Sequence, residues 1–218
     1  AHIPDLGHNL TVGVAAKMSG PLQQALNATV QTPVSGFISQ ALDKTTATGQ
    51  ANIALVLGLP IFQMHASQVK GTVELQGNDI RITPSAPLLA RSQGSVHFSE
   101  HGFGLHQVST QLLGGRATLE GGVDTHGKTA AEQTVTIQAQ GDFTGEGLRN
   151  EPTVGTIAAL GQFLQGRSRY QALLQFRQGT SEMRIDTDLA GMAMHLPFPL
   201  NKSAGATLPL HFANTISK

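Results

Sequence analysis

The sequence predicts an all-β protein with short helices, in which a long antiparallel sheet carries one apolar face. The main observation is an apolar/polar alternation with a period of two, which places alternate side chains on opposite faces of a sheet. Residues with turn chemistry separate most of the alternating runs. The alternation is clearest in three groups of apolar residues: Leu10, Val12, Val14, Ala16 and Met18; Tyr170, Ala172, Leu174 and Phe176; and Met183 and Ile185.

Composition argues against several functional classes. The 218 residues include 14 Lys and Arg against 14 Asp and Glu. The overall charge therefore does not indicate binding to nucleic acid or to an anionic membrane. Cysteine is absent, which excludes disulfides and cysteine-ligated metals and is compatible with a periplasmic location. Tryptophan is absent and tyrosine occurs once, so the aromatic platforms of sugar and single-strand binders are poorly supplied.

No stretch of the sequence is long enough to span a membrane as a helix. The longest apolar run, Ile53 to Phe62, is interrupted by Gly58 and Pro60, whereas a spanning helix needs about twenty apolar residues. The chain begins at Ala1 without a signal peptide. We therefore expect residues 1–218 to be a single segment of a larger protein.

The first half of the chain predicts one strand, two helices and then a run of strands. The strand covers residues 10–18. Apolar residues at helical spacing follow within 20–44, interrupted by Pro33, which predicts two short helices. The strands that come next are predicted at 49–59, 66–76, 79–84, 93–99, 103–113, 116–124 and 133–143. Hairpin-like turns are predicted at Gly77-Asn78-Asp79 and Glu100-His101-Gly102.

The second half predicts one more helix and three more strands. His126 to Glu132 is the most polar stretch and is predicted as a loop. A short helix is predicted near 153–166. The final strands are predicted at 169–178, 181–196 and 206–213.

Nine histidines raise the question of a metal site. His97, His101 and His106 lie around one predicted hairpin. His97 and His106 belong to the polar face and are predicted cross-strand neighbours. A zinc site needs a third protein ligand with supporting hydrogen bonds, so we interpret these residues as solvated surface histidines and expect no metal.

Catalytic motifs find no support in the sequence. There is no G-x-S-x-G elbow. Gly102-Phe103-Gly104 and Gly145-Glu146-Gly147 lack the third glycine of a dinucleotide-binding loop, and we predict turns at both. Asp186 and Asp188 share one predicted strand face, but a solvated outer face explains them better than a paired acid and base. We expect no enzyme activity and no cofactor.

The apolar face is the remaining candidate site. One interpretation is the core of a closed sandwich. The other is an open trough that is filled by lipid chains, and periodicity alone does not separate the two. The residues that would line the trough are Val12, Val14, Ile53, Leu55, Leu57, Val73, Leu75, Ile82, Val96, Phe98, Leu105, Ile137, Leu174, Phe176, Ile185, Leu210 and Phe212.

Phrases at strand ends and turns run through nearly the whole chain and resemble one known family. The longest and most specific is Leu189 to Gly205, in which a strand leads into L-P-F-P-L-N-K and a turn of small residues. Shorter ones are Thr32 to Gly36, the strand from Gly49 to Ile61, Val69 to Val73, Gln93 to Phe98 and Leu113 to Gly115. Together they resemble the YhdP branch of the AsmA-like proteins of Gram-negative bacteria.

This resemblance implies a fold and a function. Such proteins are anchored in the inner membrane, extend a curved, taco-like β-groove through the periplasm and are implicated in moving phospholipid to the outer membrane. The chain would then be a periplasmic segment of the groove that lacks the anchor. Its expected partners are acyl chains and the remaining segments of the parent protein. The alternative is a scaffold module for envelope biogenesis that binds protein rather than lipid.

Overall fold

The computed structural model describes residues 11–30, 44–61, 67–124, 126–127, 133–177 and 180–216. The strands are Thr11–Pro21 (β1), Thr46–Ala47 (β2), Gln50–Pro60 (β3), Gln68–Arg81 (β4), Leu89–Ser99 (β5), Gly102–Leu112 (β6), Gly115–Asp124 (β7), Val135–Thr144 (β8), Leu164–Arg177 (β9), Thr180–Thr187 (β10), Met192–Met194 (β11) and Leu210–Ile216 (β12). The helices are Leu22–Val30 (α1), Gly145–Arg149 (α2) and Thr156–Leu160 (α3), with single 3₁₀ turns at Pro152–Val154 and Gly161–Phe163.

The strands form one open sheet, which confirms the predicted fold class. Ten of them follow one another in the order β1-β3-β4-β5-β6-β7-β8-β9-β10-β12, while β2 pairs with β4 and β11 pairs with β9. Every pairing is antiparallel. Apart from β2 and β11, the strands follow one another in the sheet as they do in the chain, so the fold is the long meander that the regular alternation of strands and turns predicts.

Bulges and glycines interrupt the regular ladder. The register shifts between β4 and β5, between β5 and β6, and between β6 and β7, and each shift bends a strand and increases its twist. Gly121 and Gly122 in β7 have φ of 116° and 150°. A Cβ atom there would come within 2.2 Å of the Thr136 carbonyl oxygen and 2.0 Å of the Phe103 carbonyl oxygen. Only glycine fits these positions.

The strand register places the alternating apolar residues on one face. Ile53 faces Val73, Val73 faces Val96, and Val96 faces Leu105, so a single row of apolar side chains crosses β3 to β6. The pairings of the following strands continue the same alternation between the two faces of the sheet. We call this surface the apolar face and the opposite surface the polar face.

Short segments cover one side of the apolar face. We define this capped side by Ala51, Leu75, Leu119, Ala139 and Ala172, all of them buried. From α1, Leu22 and Leu26 join the same core cluster. From the segment 188–208, which includes β11, the cluster receives Leu189, Met192, Met194, Leu196 and Leu208.

The predicted turn at Gly77-Asn78-Asp79 is wrong, because β4 runs through it. Asn78 is buried, and its side-chain oxygen accepts a hydrogen bond from a backbone N–H of its own strand. Its amide donates to the carbonyls of Thr48 and Gln50 at 2.8 and 3.0 Å. Residues with turn chemistry therefore form a bulge whose extra polar group is paired within the fold.

The predicted strand 181–196 is also wrong, because it is broken after Thr187. The Thr187 hydroxyl accepts from the Leu189 N–H at 3.1 Å, and the Asp188 carboxylate accepts from the Ala190 N–H at 2.9 Å. These local side-chain bonds favour a turn over a continued strand. They interrupt the strand at residues 188–191, after which β11 pairs with the start of β9.

The helical regions differ in part from the prediction. The helix predicted to reach residue 166 ends at Phe163, since β9 begins at Leu164. Gly145-Glu146-Gly147, predicted as a turn, opens α2, and the Thr144 hydroxyl caps that helix by accepting from the Gly147 N–H at 3.0 Å. The first helix predicted within 20–44 is α1. The second, and most of the predicted loop 126–132, lie outside the described residues.

Candidate functional site: the apolar face

The apolar face changes in accessibility from one side of the sheet to the other. On the capped side its residues are buried. The next row of the apolar face, two residues further along each strand, is half-buried. It consists of Ile53, Val73, Val96, Leu105 and Leu174. Beyond this row Leu55 and Phe98 are half-buried as well, and Phe176 is 43% exposed.

We define the open side of the apolar face as this partly accessible region. Its residues are Ile53, Leu55, Val73, Val96, Phe98, Leu105, Ile137, Leu174 and Phe176. Val123 and Val135, in the same part of the sheet, are buried. The open side therefore presents a mostly continuous apolar surface with local packing between β7 and β8.

A glycine shapes the open side at β4. Gly71 faces Phe98 in the register, and a Cβ atom on Gly71 would come within 2.3 Å of the Phe98 ring. The ring therefore lies over the backbone of β4, where no side chain stands. Since an aromatic ring supplies a large rigid apolar area, this pair gives the open side a flat surface.

Most of the predicted lining residues share the apolar face. Sixteen of the seventeen occupy strand positions whose side chains belong to the apolar face, and they lie on both the capped and the open side. The exception is Ile82, which lies in a bend past the end of β4. Whether any of them contacts lipid stays a prediction.

The predicted set of lining residues omits some residues that lie on the same face. Phe103 faces Phe98, and Val135 faces Phe176. Met183 faces Leu174. The signal was present in each case, because these residues alternate in phase with Leu105, Ile137 and Ile185.

One polar group on the capped side lacks a partner. Tyr170 is 6% exposed, and its hydroxyl has no hydrogen-bond partner in the described structure. Its ring packs edge-on against Phe143, with centroids 6.2 Å apart. Burial, with a smaller contribution from the charge of Asp142, raises the pKa of Tyr170 to about 12.

The polar face holds the histidines and carboxylates that the sequence singled out. His97 and His106 are neighbours as predicted, with ring centroids 4.7 Å apart, and the His97 Nδ1 lies 3.0 Å from the Thr72 hydroxyl. Asp186 pairs with His211 across β10 and β12, and Asp188 lies in the turn after β10, so the two carboxylates do not share a site. No group of three potential metal ligands comes together in the described part of the chain.

Comparison with known proteins identifies the family. No helix in the described residues is both long and apolar enough to cross a membrane. No curated protein and no solved structure gives a significant match. A family model described as YhdP protein matches residues 1–218, the full sequence. The chain therefore belongs to the YhdP family of AsmA-like envelope proteins.

Proposed function

We propose that this chain binds the acyl chains of phospholipids on its open side and lets them move along the sheet, in the periplasm, between the inner and outer membranes. The observation that carries the proposal is the partly accessible apolar row that crosses neighbouring strands from Ile53 to Leu105 and continues at Ile137 and Leu174. In soluble proteins a large exposed apolar surface usually marks a binding site.

The apolar face suits movement better than fixed binding. Burial of each methylene contributes about 0.8 kcal/mol without a preferred direction, so neighbouring positions along the row hold an acyl chain about equally well. The seven consecutive strands from β3 to β9, at about 4.8 Å spacing, give this row a length of roughly 29 Å. The proposed transfer is passive and needs no catalytic centre and no cofactor.

The test places a photo-reactive residue at Val73 on the open side. The matched control is the same probe at Thr72, which precedes it in β4 and points to the polar face. We expect irradiation in cells to attach phospholipid at position 73 and not at position 72. Mass spectrometry of the adduct identifies the lipid.

A second pair of variants tests the path itself. Leu55→Asp introduces a carboxylate on the open side, while Val56→Asp introduces one at the neighbouring, polar-face position. We expect Leu55→Asp to abolish the lipid adduct at position 73 and Val56→Asp to leave it intact, with both proteins folded by circular dichroism. Protein adducts at position 73 without lipid would instead support the scaffold function.

A further inference from the structure

A pocket of about 430 Å³ lies on the polar face, where β6 turns into β7. It is lined by Gln111, Gly114, Gly115, Arg116, Asp142 and Arg167. Arg116 precedes Ala117 in its strand, and Asp142 precedes Phe143, whose side chains belong to the apolar face. The charged side chains of the pocket therefore point away from the apolar face and from the proposed lipid path.

The backbone around this pocket is held in place. The Thr144 N–H donates to the Leu113 carbonyl at 3.0 Å, which ties the turn between β6 and β7 to the end of β8. Arg116 lies in β7, and Arg167 lies in β9 opposite Thr144. The two arginines thus flank β8, and two strand spacings separate β7 from β9 by about 10 Å. Side chains as long as those of arginine can meet a group that is bound between them.

The side chains around the pocket mainly supply hydrogen-bond donors. The Arg91 guanidinium donates to the side-chain oxygen of Gln111 at 2.6 Å, which leaves the amide hydrogens of Gln111 for another acceptor. Within the described structure, neither Arg116 nor Arg167 forms an ion pair or donates a side-chain hydrogen bond. Two guanidinium groups and one amide around a single pocket therefore lack acceptors.

The charge at this place is positive although the chain as a whole is neutral. At this end of the polar face, strands β5 to β9 carry Arg91, Arg116, Arg167 and Arg169 against one carboxylate, that of Asp142. Asp142 faces Arg169 in the register, but it forms no ion pair among the described residues. A local excess of cations favours an anionic ligand.

We propose that this pocket binds a phosphate group between Arg116 and Arg167, with the Gln111 amide as a third donor. A planar guanidinium group donates two parallel hydrogen bonds to phosphate oxygens, and one phosphate has enough acceptor sites for both arginines and the amide. The phosphate can belong to a soluble compound or to a lipid headgroup. Because the pocket lies opposite the open side, this proposal and the proposed acyl-chain path fail independently.

Calorimetric titration of the 218-residue chain with inorganic phosphate is the first test. Arg116→Gln and Arg167→Gln should each weaken binding at least about tenfold, since each removes hydrogen bonds between charged groups. Both side chains are exposed, so circular dichroism should show folded proteins. The matched control is Arg184→Gln, on the polar face of β10, whose guanidinium lies 3.9 Å from the Glu182 carboxylate. An unmodified chain that does not bind phosphate, or an equal loss of affinity in the control, would overturn the proposal.

A gain of affinity separates the pocket from a general effect on the fold. Asp142→Asn removes the one carboxylate that opposes an anion in the pocket, and it should tighten phosphate binding about threefold. A damaged fold would not produce such a gain. Unchanged or weaker binding would contradict a phosphate at this place.

Two further titrations define the ligand. Acetate should bind about tenfold more weakly than phosphate, because a carboxylate offers fewer acceptor sites, and equal binding would contradict recognition of phosphate. Dihexanoyl phosphatidic acid, kept below its micelle concentration, carries the same group on a lipid. If it binds at least as tightly as inorganic phosphate, the pocket accepts a lipid headgroup. If only inorganic phosphate binds, the ligand is a soluble phosphate.

Discussion

The capped and open sides of the apolar face have the same sequence pattern and different surroundings. Leu75 and Leu55 both belong to apolar/polar alternations, on the neighbouring strands β4 and β3. Leu75 is buried in a cluster that includes Leu22 and Met192, whereas Leu55 is only half-buried. The difference comes from segments outside the ten-strand order, namely α1 and residues 188–208.

This comparison separates two roles of one face. The capped side provides the core that stabilises the sheet, because side chains of α1 and of the segment 188–208 pack on it. In the described part of the chain the open side stays partly accessible, which the proposed lipid binding requires. An open sheet of this length needs a packed region to be stable in water, and the capped side supplies that region.

The largest expected effect is that of a charge on the capped side. Leu75→Asp buries an unpaired carboxylate, which costs several kcal/mol, enough to unfold a domain of ordinary stability. Leu55→Asp, at the partly hydrated position, should lower the free energy of unfolding by about 1 kcal/mol. Urea unfolding monitored by circular dichroism measures both.

The ratio of these two effects is the critical result. If Leu55→Asp destabilises the protein as much as Leu75→Asp, the open side is also a closed core, and a trough for lipid does not exist. If neither substitution matters, the segments at the capped side do not pack as described.

Lys202 provides a way to loosen the cap without adding a charge. Its ammonium group donates to the carbonyls of Leu189, Met192 and Ser203 and so ties together the segment 188–208. Lys202→Met leaves these carbonyls without their donor, and we expect it to lower the free energy of unfolding by about 1–3 kcal/mol. Lys70→Met, at an exposed position of β4, should change stability by less than about 0.5 kcal/mol.

Limited proteolysis shows where the loss occurs. Cleavage of Lys202→Met should accelerate within residues 189–203 before it does in the strands, because the cap opens locally. Uniform acceleration along the chain would mean that the cap and the sheet unfold together.

Much of the sheet could be predicted from the sequence, because the alternation fixes both strand and face. Ile53, Val73 and Val96 are each in phase with their strand, so short turns alone bring them into one row. The turn at Glu100-His101-Gly102 was predicted for the same reason, as it separates two complete alternations.

What escaped prediction depends on contacts between distant residues. Asn78 has turn chemistry, yet Thr48 and Gln50 accept its amide hydrogens and keep it inside a strand. Met192 and Met194 pair with the first residues of β9 as a continued strand would, yet the side-chain hydrogen bonds of Thr187 and Asp188 separate them from β10. Likewise, no period distinguishes a covered apolar residue from an accessible one.

Tyr170 offers a smaller change on the capped side. Its hydroxyl is buried without a partner, so Tyr170→Phe removes a group whose desolvation is uncompensated. We expect the free energy of unfolding to rise by about 1 kcal/mol, as urea denaturation would measure. A loss of stability would show that the hydroxyl has a hydrogen-bond partner in solution.

The same tyrosine reports on the packing of the cap through its ionisation. Its pKa is about 12, against an ordinary value of 10.0, so the folded state holds the proton more tightly than the unfolded state does. Stability from this group is present below pH 10 and is lost as pH rises through the folded pKa. Because the chain has one tyrosine and no tryptophan, ultraviolet titration follows this group alone and should show no tyrosinate near pH 10 while the protein is folded.

The smallest expected effect concerns Glu100, at the open side. Its carboxylate accepts the Val69 N–H at 2.9 Å and so ties the start of β4 to the turn between β5 and β6. Partial burial opposes ionisation, but backbone hydrogen bonds from Glu100 and Val69, with His101 and Lys70 nearby, bring its pKa below the ordinary 4.5. Its contribution to stability is therefore present above pH 4.5 and is lost as pH falls through the folded pKa.

Glu100→Gln should lower the free energy of unfolding by less than about 1 kcal/mol near neutral pH, and the difference from the unmodified protein should vanish in acid. Glu74→Gln, on the exposed face of β4, is the control, and urea unfolding at both pH values measures the difference. If the free energy of unfolding of Glu100→Gln stays below that of the unmodified protein at low pH, the residue acts through the packing of its side chain rather than through its charge.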